Sequence, residues 1–503
     1  MAVGQINDPS LLQAGKSRVW LQEGYANPGV SYNYQGLVEL QKTDQDLGKK
    51  TPVWIPSSDV RNRWDIVDAI IASPALITSG FIQHANRFLS DRWESLRARG
   101  CDFNLKVINS NCARPDQPDQ WDSQIILGRT RLEKFGFSLF NPLEASKNAI
   151  VDINGDFSAE SMTVVLPMVF EQVGSVITLA EIVDAFFYDQ IQCGDCGPAS
   201  DGCQKAYALQ IANAGSPGLS SQLLYASDGG YTWAGIDIPT LGGLSASRMA
   251  PMGLYCIVVS NLQGAYHFAK FTDIQVGTVN WTQITTGFTV GKSPRCIVTR
   301  NPNSCFIGAQ GGVIYSLTSV GAAVSVVQDG SLSAQDINDI HYYGRTIVAV
   351  QNNNGVLVSI NEGNSWALVT GPLVGQNLSA VWCVSAITWF VATGNGQLWY
   401  TTNSGSSWTR ITLDSGITTI DDLQMFDENV GYLATEVAGA ARVYRTVDGG
   451  NSWRYSPSSE IGILPGAPAR VDVLAPCGAN TCLSVGRKTA GGVGYMALAR
   501  NPN

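Results

Sequence analysis

Through the second half of the chain, apolar positions alternate with polar ones in short runs separated by Gly- and Asn-rich turns, the pattern of half-buried strands joined by hairpins. One run recurs, as Leu223-Leu-Tyr-Ala226, Tyr266-His-Phe-Ala269, Val313-Ile-Tyr-Ser316, Val356-Leu-Val-Ser359, Leu398-Trp-Tyr-Thr401, Arg442-Val-Tyr-Arg445 and Gly494-Tyr-Met-Ala497. Turn residues precede several copies, at Gln310-Gly-Gly312, Asn352-Asn-Asn-Gly355, Gly394-Asn-Gly396 and Gly491-Gly-Val-Gly494. Seven copies predict seven repeated sheets, or six if the first and last copies combine to close a ring.

Four of these runs open into one motif, Ser/Thr-x-Asp/Asn-x-Gly-x-Ser/Thr-Trp, with Ala226 as its single departure. Its key residues are Asp228, Gly230 and Trp233; Asn361, Gly363 and Trp366; Asn403, Gly405 and Trp408; and Asp448, Gly450 and Trp453. A short Asp or Asn side chain can bond the amides of its own turn, Gly can take a positive φ, and Trp can plug the turn against the sheet. Trp366 and Trp408 lie 42 residues apart and Trp408 and Trp453 lie 45, the length of a four-stranded unit. Trp281 marks a degenerate copy, and another is expected between Tyr315 and Val324.

The motif resembles the Asp box, or bacterial neuraminidase repeat, of sialidases, sortilins and the photosystem II assembly factor propellers. That resemblance implies an Asp-box β-propeller over residues 205–503, seven-bladed or six-bladed. In the family the boxes are structural turns on the rim, away from the ligand face.

The first 190 residues lack the repeat. Phe88, Leu89, Trp93 and Leu96 fall on one helical face, which Gly100 can end. Strands are read at Phe103–Asn109, Gln124–Leu127, Gly136–Phe140, Ala149–Ile153 and Met162–Val169. The expectation is a mainly β chain: an extended arm over 1–60, a β-sandwich or barrel with one helix over 61–190, a Cys-containing linker over 191–204, then the propeller. The strand order, a helix ending Arg97-Ala-Arg-Gly-Cys101-Asp-Phe and the later stretch Asp152-Ile-Asn-Gly-Asp-Phe-Ser-Ala159 resemble the tail tube proteins of tailed bacteriophages. In that family a β-sandwich with one helix forms rings that stack into the tail.

Charge narrows the partners. The formal net charge is −9 and no basic stretch interleaves with aromatics, so sequence-specific nucleic-acid binding is not expected. Every charged residue between Lys147 and Lys205 is acidic, which reads as a solvated face or, on the tail-tube resemblance, as a lumen along which DNA slides. No apolar run approaches the ~20 residues of a membrane span and the start lacks the pattern of a signal peptide, so no membrane insertion is expected.

Among the 11 cysteines, Cys101 with Cys112, Cys296 with Cys305 and Cys477 with Cys482 are spaced as hairpin partners, and both disulfides and buried free thiols remain open for them. Cys193, Cys196 and Cys203 lack a fourth ligand at a zinc spacing and read as a linker knot; no metal or cofactor is expected.

Sialidase chemistry requires three arginines gripping a carboxylate, and Arg295, Arg300, Arg345 and Arg410 lack the matching context. His84, His267 and His341 are scattered without Ser or Cys in motif context, so no catalytic residue is expected. The resemblances together point to a virion structural protein, a phage tail tube subunit whose propeller decorates the exterior. Its partners would be copies of itself in rings or a tube, other tail proteins, and a host-surface glycan or protein. Its place would be the virion tail, after assembly in the host cytoplasm. The alternatives are a host-surface or glycan-binding propeller, a glycosidase and a cellular assembly factor.

Overall fold

A computed structural model of the chain divides into two compact units, Met1–Pro167 and Met168–Asn503. It describes residues 17–23, 33–37, 39–45, 76–84, 103–109, 124–138 and 152–165 of the first unit. In the second it describes 170–173, 180–188, 203–212, 221–238, 246–260, 264–277, 279–453, 464, 468–488 and 494–500.

The described strands of the first unit are β1 (Ser17–Glu23), β2 (Asn33–Leu37), β3 (Glu39–Gln45), β4 (Leu76–His84), β5 (Phe103–Asn109), β6 (Gln124–Ser138) and β7 (Asp152–Val165). They form one antiparallel sheet in the order β2-β1-β5-β6-β7-β4-β3. Its two outermost strands are consecutive in the chain, with one residue between Leu37 and Glu39. A flat sheet of this width would hold its edges about 29 Å apart, while the link spans two Cα steps of about 3.8 Å. The sheet therefore curls until its edges meet, as the sandwich or barrel expectation requires. β5 matches its expected span; β6 and β7 each join two expected strands into one long hairpin arm, paired from Gln124↔Val165 to Ser138↔Asp152. The expected arm over 1–60 contains β1, β2 and β3, because its polar residues alternate along strands. The expected helix over residues 88–99 lies outside the described residues.

The second unit opens with β8 (Phe170–Gln172) and continues in radial repeats. The first repeat is β9 (Ala180–Phe187), β10 (Ala206–Ala212), β11 (Gln222–Ala226) and β12 (Ala234–Asp237). The second is β13 (Ala246–Met252), β14 (Tyr255–Ser260), β15 (Ala265–Lys270) and β16 (Thr282–Ile284), with the short helix α1 (Phe271–Val276) between the last two. The third is β17 (Pro294–Asn301), β18 (Ser304–Ala309), β19 (Val313–Leu317) and β20 (Ser325–Asp329).

A six-stranded sheet follows: β21 (Ile337–Tyr343), β22 (Thr346–Ser359), β23 (Ala367–Cys383), β24 (Trp389–Thr393), β25 (Leu398–Thr401) and β26 (Thr409–Ile411). Its ladder changes at β23, whose first part pairs with β22 and whose last part pairs with β24, so it supplies the fourth and fifth repeats. The sixth is β27 (Ile417–Met425), β28 (Gly431–Val437) and β29 (Ala440–Thr446). The seventh is β30 (Arg470–Gly478), β31 (Thr481–Arg487) and β32 (Gly494–Arg500), completed by β8. Among the described residues the unit thus has six continuous sheets and seven innermost strands, which touch in the closed cycle β9, β13, β17, β21, β23, β27, β30 and back to β9.

The fold is a β-propeller.

Its core lies between the sheets. The second strand of each repeat is covered on both faces, so β18 (Ser-Cys-Phe-Ile-Gly-Ala) and β24 (Trp-Phe-Val-Ala-Thr) are buried at every position. The ring closes with β8, which pairs Phe170↔Ala499, Glu171↔Leu498 and Gln172↔Ala497 on β32. The boundary between units therefore falls earlier than the sequence suggested. β8 and β9 were expected in the N-terminal domain, but their bonds run to β32 and β10. A chain beginning at Met168 is expected to melt cooperatively as a monomer by circular dichroism and size exclusion, whereas one beginning at Ile191 lacks both strands and is expected to lose that transition.

Candidate functional site

The repeated motif builds the same turn four times. Asn361 Oδ1 accepts the Ser365 amide at 2.9 Å while its Nδ2 donates to Ser365 Oγ at 2.8 Å. Asn403 does the same with Ser407, at 2.9 Å for each bond. Asp448 accepts the Ser452 amide at 2.9 Å and the Ser452 hydroxyl at 2.6 Å. Asp228 accepts the Tyr231 and Thr232 amides and the Thr232 hydroxyl; what burial it has raises its pKa, but these bonds outweigh that and hold the carboxyl below its ordinary value.

The first motif position contributes too. Ser359, Thr401 and Thr446 hydroxyls accept the amides of Gly363, Gly405 and Gly450 at 2.8–2.9 Å, a bond Ala226 cannot make for Gly230. The four glycines have φ between 79° and 97°. Trp233, Trp366 and Trp453 donate Nε1–H to the carbonyls of Gly230, Gly363 and Gly450; Trp408 holds its place without that bond.

These glycines are also struts between repeats. A Cβ on Gly450 would collide with the Phe390 ring of the fifth repeat, and one on Gly405 would come within 2.6 Å of Val369 in the fourth. Gly363 faces Phe306 of the third repeat, and Gly230 faces Leu498 of the seventh. The polar atoms of each turn are thus spent on the turn itself.

A second repeated device lies at the axis, where the sequence pattern showed nothing. Each innermost strand carries an extra residue relative to its partner: Val183, Ser247, Arg295, Asn338, Ser379, Asp421 and Asp472. The residues just after these bulges are Asp184, Arg248, Cys296, Asp339, Ala380, Asp422 and Val473. Three are carboxylates that share the same pair of backbone bonds, to which Asp422 adds a bond from Gln424 Nε2 at 3.1 Å. Asp184 accepts the amides of Ala185 at 2.9 Å and Met249 at 2.7 Å. Asp339 accepts those of Ile340 at 2.8 Å and Val381 at 2.9 Å. Asp422 accepts those of Leu423 at 2.8 Å and Leu474 at 2.7 Å. The second amide always belongs to the innermost strand of the next repeat.

Bulge residues add further ties: Asn338 Nδ2 donates to the Leu378 carbonyl at 2.7 Å, Ser379 Oγ to the Ile420 carbonyl at 2.6 Å, and Asp421 pairs with Arg470 at 3.1 Å. His341, two residues beyond Asp339, accepts the Cys383 amide at Nδ1 and stacks on Trp382 with ring centres 4.0 Å apart. Burial holds it neutral, its pKa pushed down to about 3.

Burial dominates the axial carboxyls as well. It pushes Asp339 up to about 7 and Asp184 up to about 6 against their amide donors, and raises Asp422. Arg248 sits among them; burial lowers its pKa, but Asp184, Asp472, Asp422 and Asp339 more than offset that and keep it charged. Among the described residues, no group of three His, Cys, Asp or Glu side chains is placed to hold a metal ion.

The expected hairpin disulfides give way to a different pair. Cys203 is bonded to Cys477, across 274 residues. Cys296 and Cys305 are free and buried because they project to opposite faces of their sheet, Cys296 among Phe306 and Ile337, Cys305 among Ile257 and Tyr266. Cys482 is free because Cys477 is engaged elsewhere. Cys101, Cys112, Cys193 and Cys196 lie outside the described residues. Arg295 pairs with Asp336, and Arg300 and Arg345 both pair with Glu362; none of these arginines is held as part of a three-arginine grip.

No family model matches the chain, and no curated protein matches it. Among solved structures, YCF48 from Cyanidioschyzon merolae is similar at 17% identity with a TM-score of 0.48, over 66% of this chain and 99% of that one. YCF48 bound to D1 peptide is similar at 17% identity and 0.48, over 67% and 97%. The WD40 repeats of RRP9 follow at 9% and 0.47, over 66% and 99%. At these identities the likeness is one of fold alone.

Two outcomes test the geometry. Gly450→Ala meets both a positive φ and the Phe390 ring, and is expected to lower unfolding free energy by about 2–4 kcal/mol in urea titration. Asp339→Asn leaves one buried amide facing an NH2 group, a loss of about 1–3 kcal/mol. Asp339 binds its proton more tightly folded, at about 7, than at its ordinary 3.8. Its contribution is therefore full below about pH 4 and is lost as pH rises through about 7. The stability of the parent relative to Asp339→Asn should fall across that window in urea titrations at stepped pH.

Proposed function

We propose that the chain is a non-enzymatic structural protein of a virion, a phage tail subunit whose N-terminal unit assembles with copies of itself and whose propeller is displayed as decoration. The observation that carries this reading is the curled seven-stranded sheet of the first unit, whose edges are joined by a single residue and whose long β6–β7 pair runs from Gln124↔Val165 to Ser138↔Asp152 with one bulge at Glu133. A sheet of this kind is what the tail-tube resemblance implies. The propeller fits a display role. Its repeated turns, read as Asp boxes, are struts, and its axial carboxylates are bonded to backbone amides, not set opposite one another across a cleft.

A second reading, a propeller that binds a protein or glycan on a host surface, is favoured by one feature. The side bearing the repeated turns exposes Tyr343, Ile360 and Ile387. The neighbouring backbone is tied by the bonds from the Glu362 amide to the Arg345 carbonyl and from the Ser404 amide to the Ile387 carbonyl. Such fixed apolar groups suit contact with a partner.

Negative-stain electron microscopy of the full chain beside a chain beginning at Met168 separates the two. Rings or tubes with peripheral knobs from the full chain alone support the tail reading. Discrete particles from both at high concentration overturn it and leave the surface-binding reading.

A further inference from the structure

The seam between the seventh and first repeats is the one at which the beginning and the end of the ring meet, and, like the seams after the second, third and fifth repeats, it has no axial carboxylate. At the axial position that carries Asp184, Asp339 and Asp422 elsewhere, the seventh repeat has Val473, so no carboxylate crosses to β9. Its bulge residue, Asp472, pairs within its own strand, with Arg470 at 2.9 Å. The seam is closed by an apolar cluster that includes Phe187, Ala208 and Leu224 of the first repeat with Leu483, Val485 and Leu498 of the seventh. A 3.7 Å ion pair of Arg487 with Glu181, the three-residue strand β8 and the Cys203–Cys477 disulfide complete it. Cys203 and Cys477 lie at the margin of the cluster, half-buried, with Cα atoms 5.8 Å apart. Cys203 has φ of 63°, a left-handed conformation that a side-chain-bearing residue keeps only when its surroundings hold it there.

We propose that the Cys203–Cys477 disulfide is a redox-set latch on the propeller ring: oxidised, it holds the first and last repeats together; reduced, the ring opens at this seam while the other seams stay closed. Closure exchanges the two thiols with an external disulfide. One thiolate attacks it to give a mixed disulfide, the second displaces the bound half, and the external disulfide leaves as two thiols, having taken two electrons. A dithiol reductant runs the sequence in reverse and leaves as its own cyclic disulfide. The other described cysteines, Cys256, Cys296, Cys305, Cys383 and Cys482, are buried, and burial raises every one of these thiols. They do not form the thiolate needed to attack the latch.

Hydrogen exchange of the full chain, followed by mass spectrometry with and without dithiothreitol, tests the latch. Reduction is expected to speed exchange at 170–173, 203–212 and 494–500 by about tenfold or more, while 339–350 and 378–393 change by less than about twofold. The double variant Cys203→Ser/Cys477→Ser should show the same pattern without reductant; if it fails to fold, the reduction of the parent chain still decides. Equal acceleration at all seams, no change after complete reduction, or alkylation of both cysteines before reduction would each overturn the proposal.

Discussion

Each innermost strand of the propeller carries at least one residue more than the strand it pairs with, and the order of the ring follows from that misfit. A bulge turns the next side chain away from its own ladder, and here the side chain is turned toward the neighbouring repeat. Where it is an aspartate, one oxygen holds its own strand at the bulge and the other holds the amide of the next innermost strand, so a single carboxylate fixes two repeats in register. Apolar packing between sheets is strong but does not specify register. The bonds at the axis do.

The arrangement has an electrostatic cost. Three carboxylates near one axis lose most of their hydration, and the amides they accept return only part of it, so protons bind them more tightly than in water. Arg248, at the equivalent position of the second repeat, supplies the compensating charge. A cation there in place of a fourth carboxylate keeps the cluster from repelling itself apart. It also reaches back, donating to the Val183 carbonyl at 2.7 Å, and so ties the second repeat to the first.

What could be read in the sequence was what is local. The turn around Asp448 closes within the eight residues from Thr446 to Trp453, so its Thr, Asp, Gly, Ser and Trp appear together in the chain and their roles follow from their chemistry. The axial aspartates are equally regular in space, but the amides they hold lie 42 to 65 residues away, and nothing beside Asp184 or Asp339 names the partner. A signal existed in an acidic residue set within an apolar innermost strand ahead of each such seam, as in Asp422-Leu423, but periodicity alone treats it as a break in the strand. The cysteines misled for a related reason. Cys296 and Cys305 are near in sequence, yet residues on paired strands meet only when they share a face, and these two do not. The true pair spans 274 residues, a separation that no spacing rule reaches. In the first unit, β2 and β3 looked like an arm because a strand at a sheet edge needs few apolar residues.

Every repeat with the full turn motif is held twice, in opposite senses. Its turn glycine packs on the repeat before it, as Gly405 does on Val369, while an axial residue bonds the repeat after it, as Asp339 does with Val381. Closing the ring means meeting both conditions between the last repeat and the first. The outer one is met in the usual way, by Gly230 and Trp233 against Leu498. The inner one is not, since Val473 has no oxygen to offer. A covalent bond from Cys203 to Cys477 ties the two repeats instead, and a borrowed strand, β8, completes the outer edge of the seventh sheet. The one seam made from distant parts of the chain is therefore the one whose closure depends on chemistry outside the repeat.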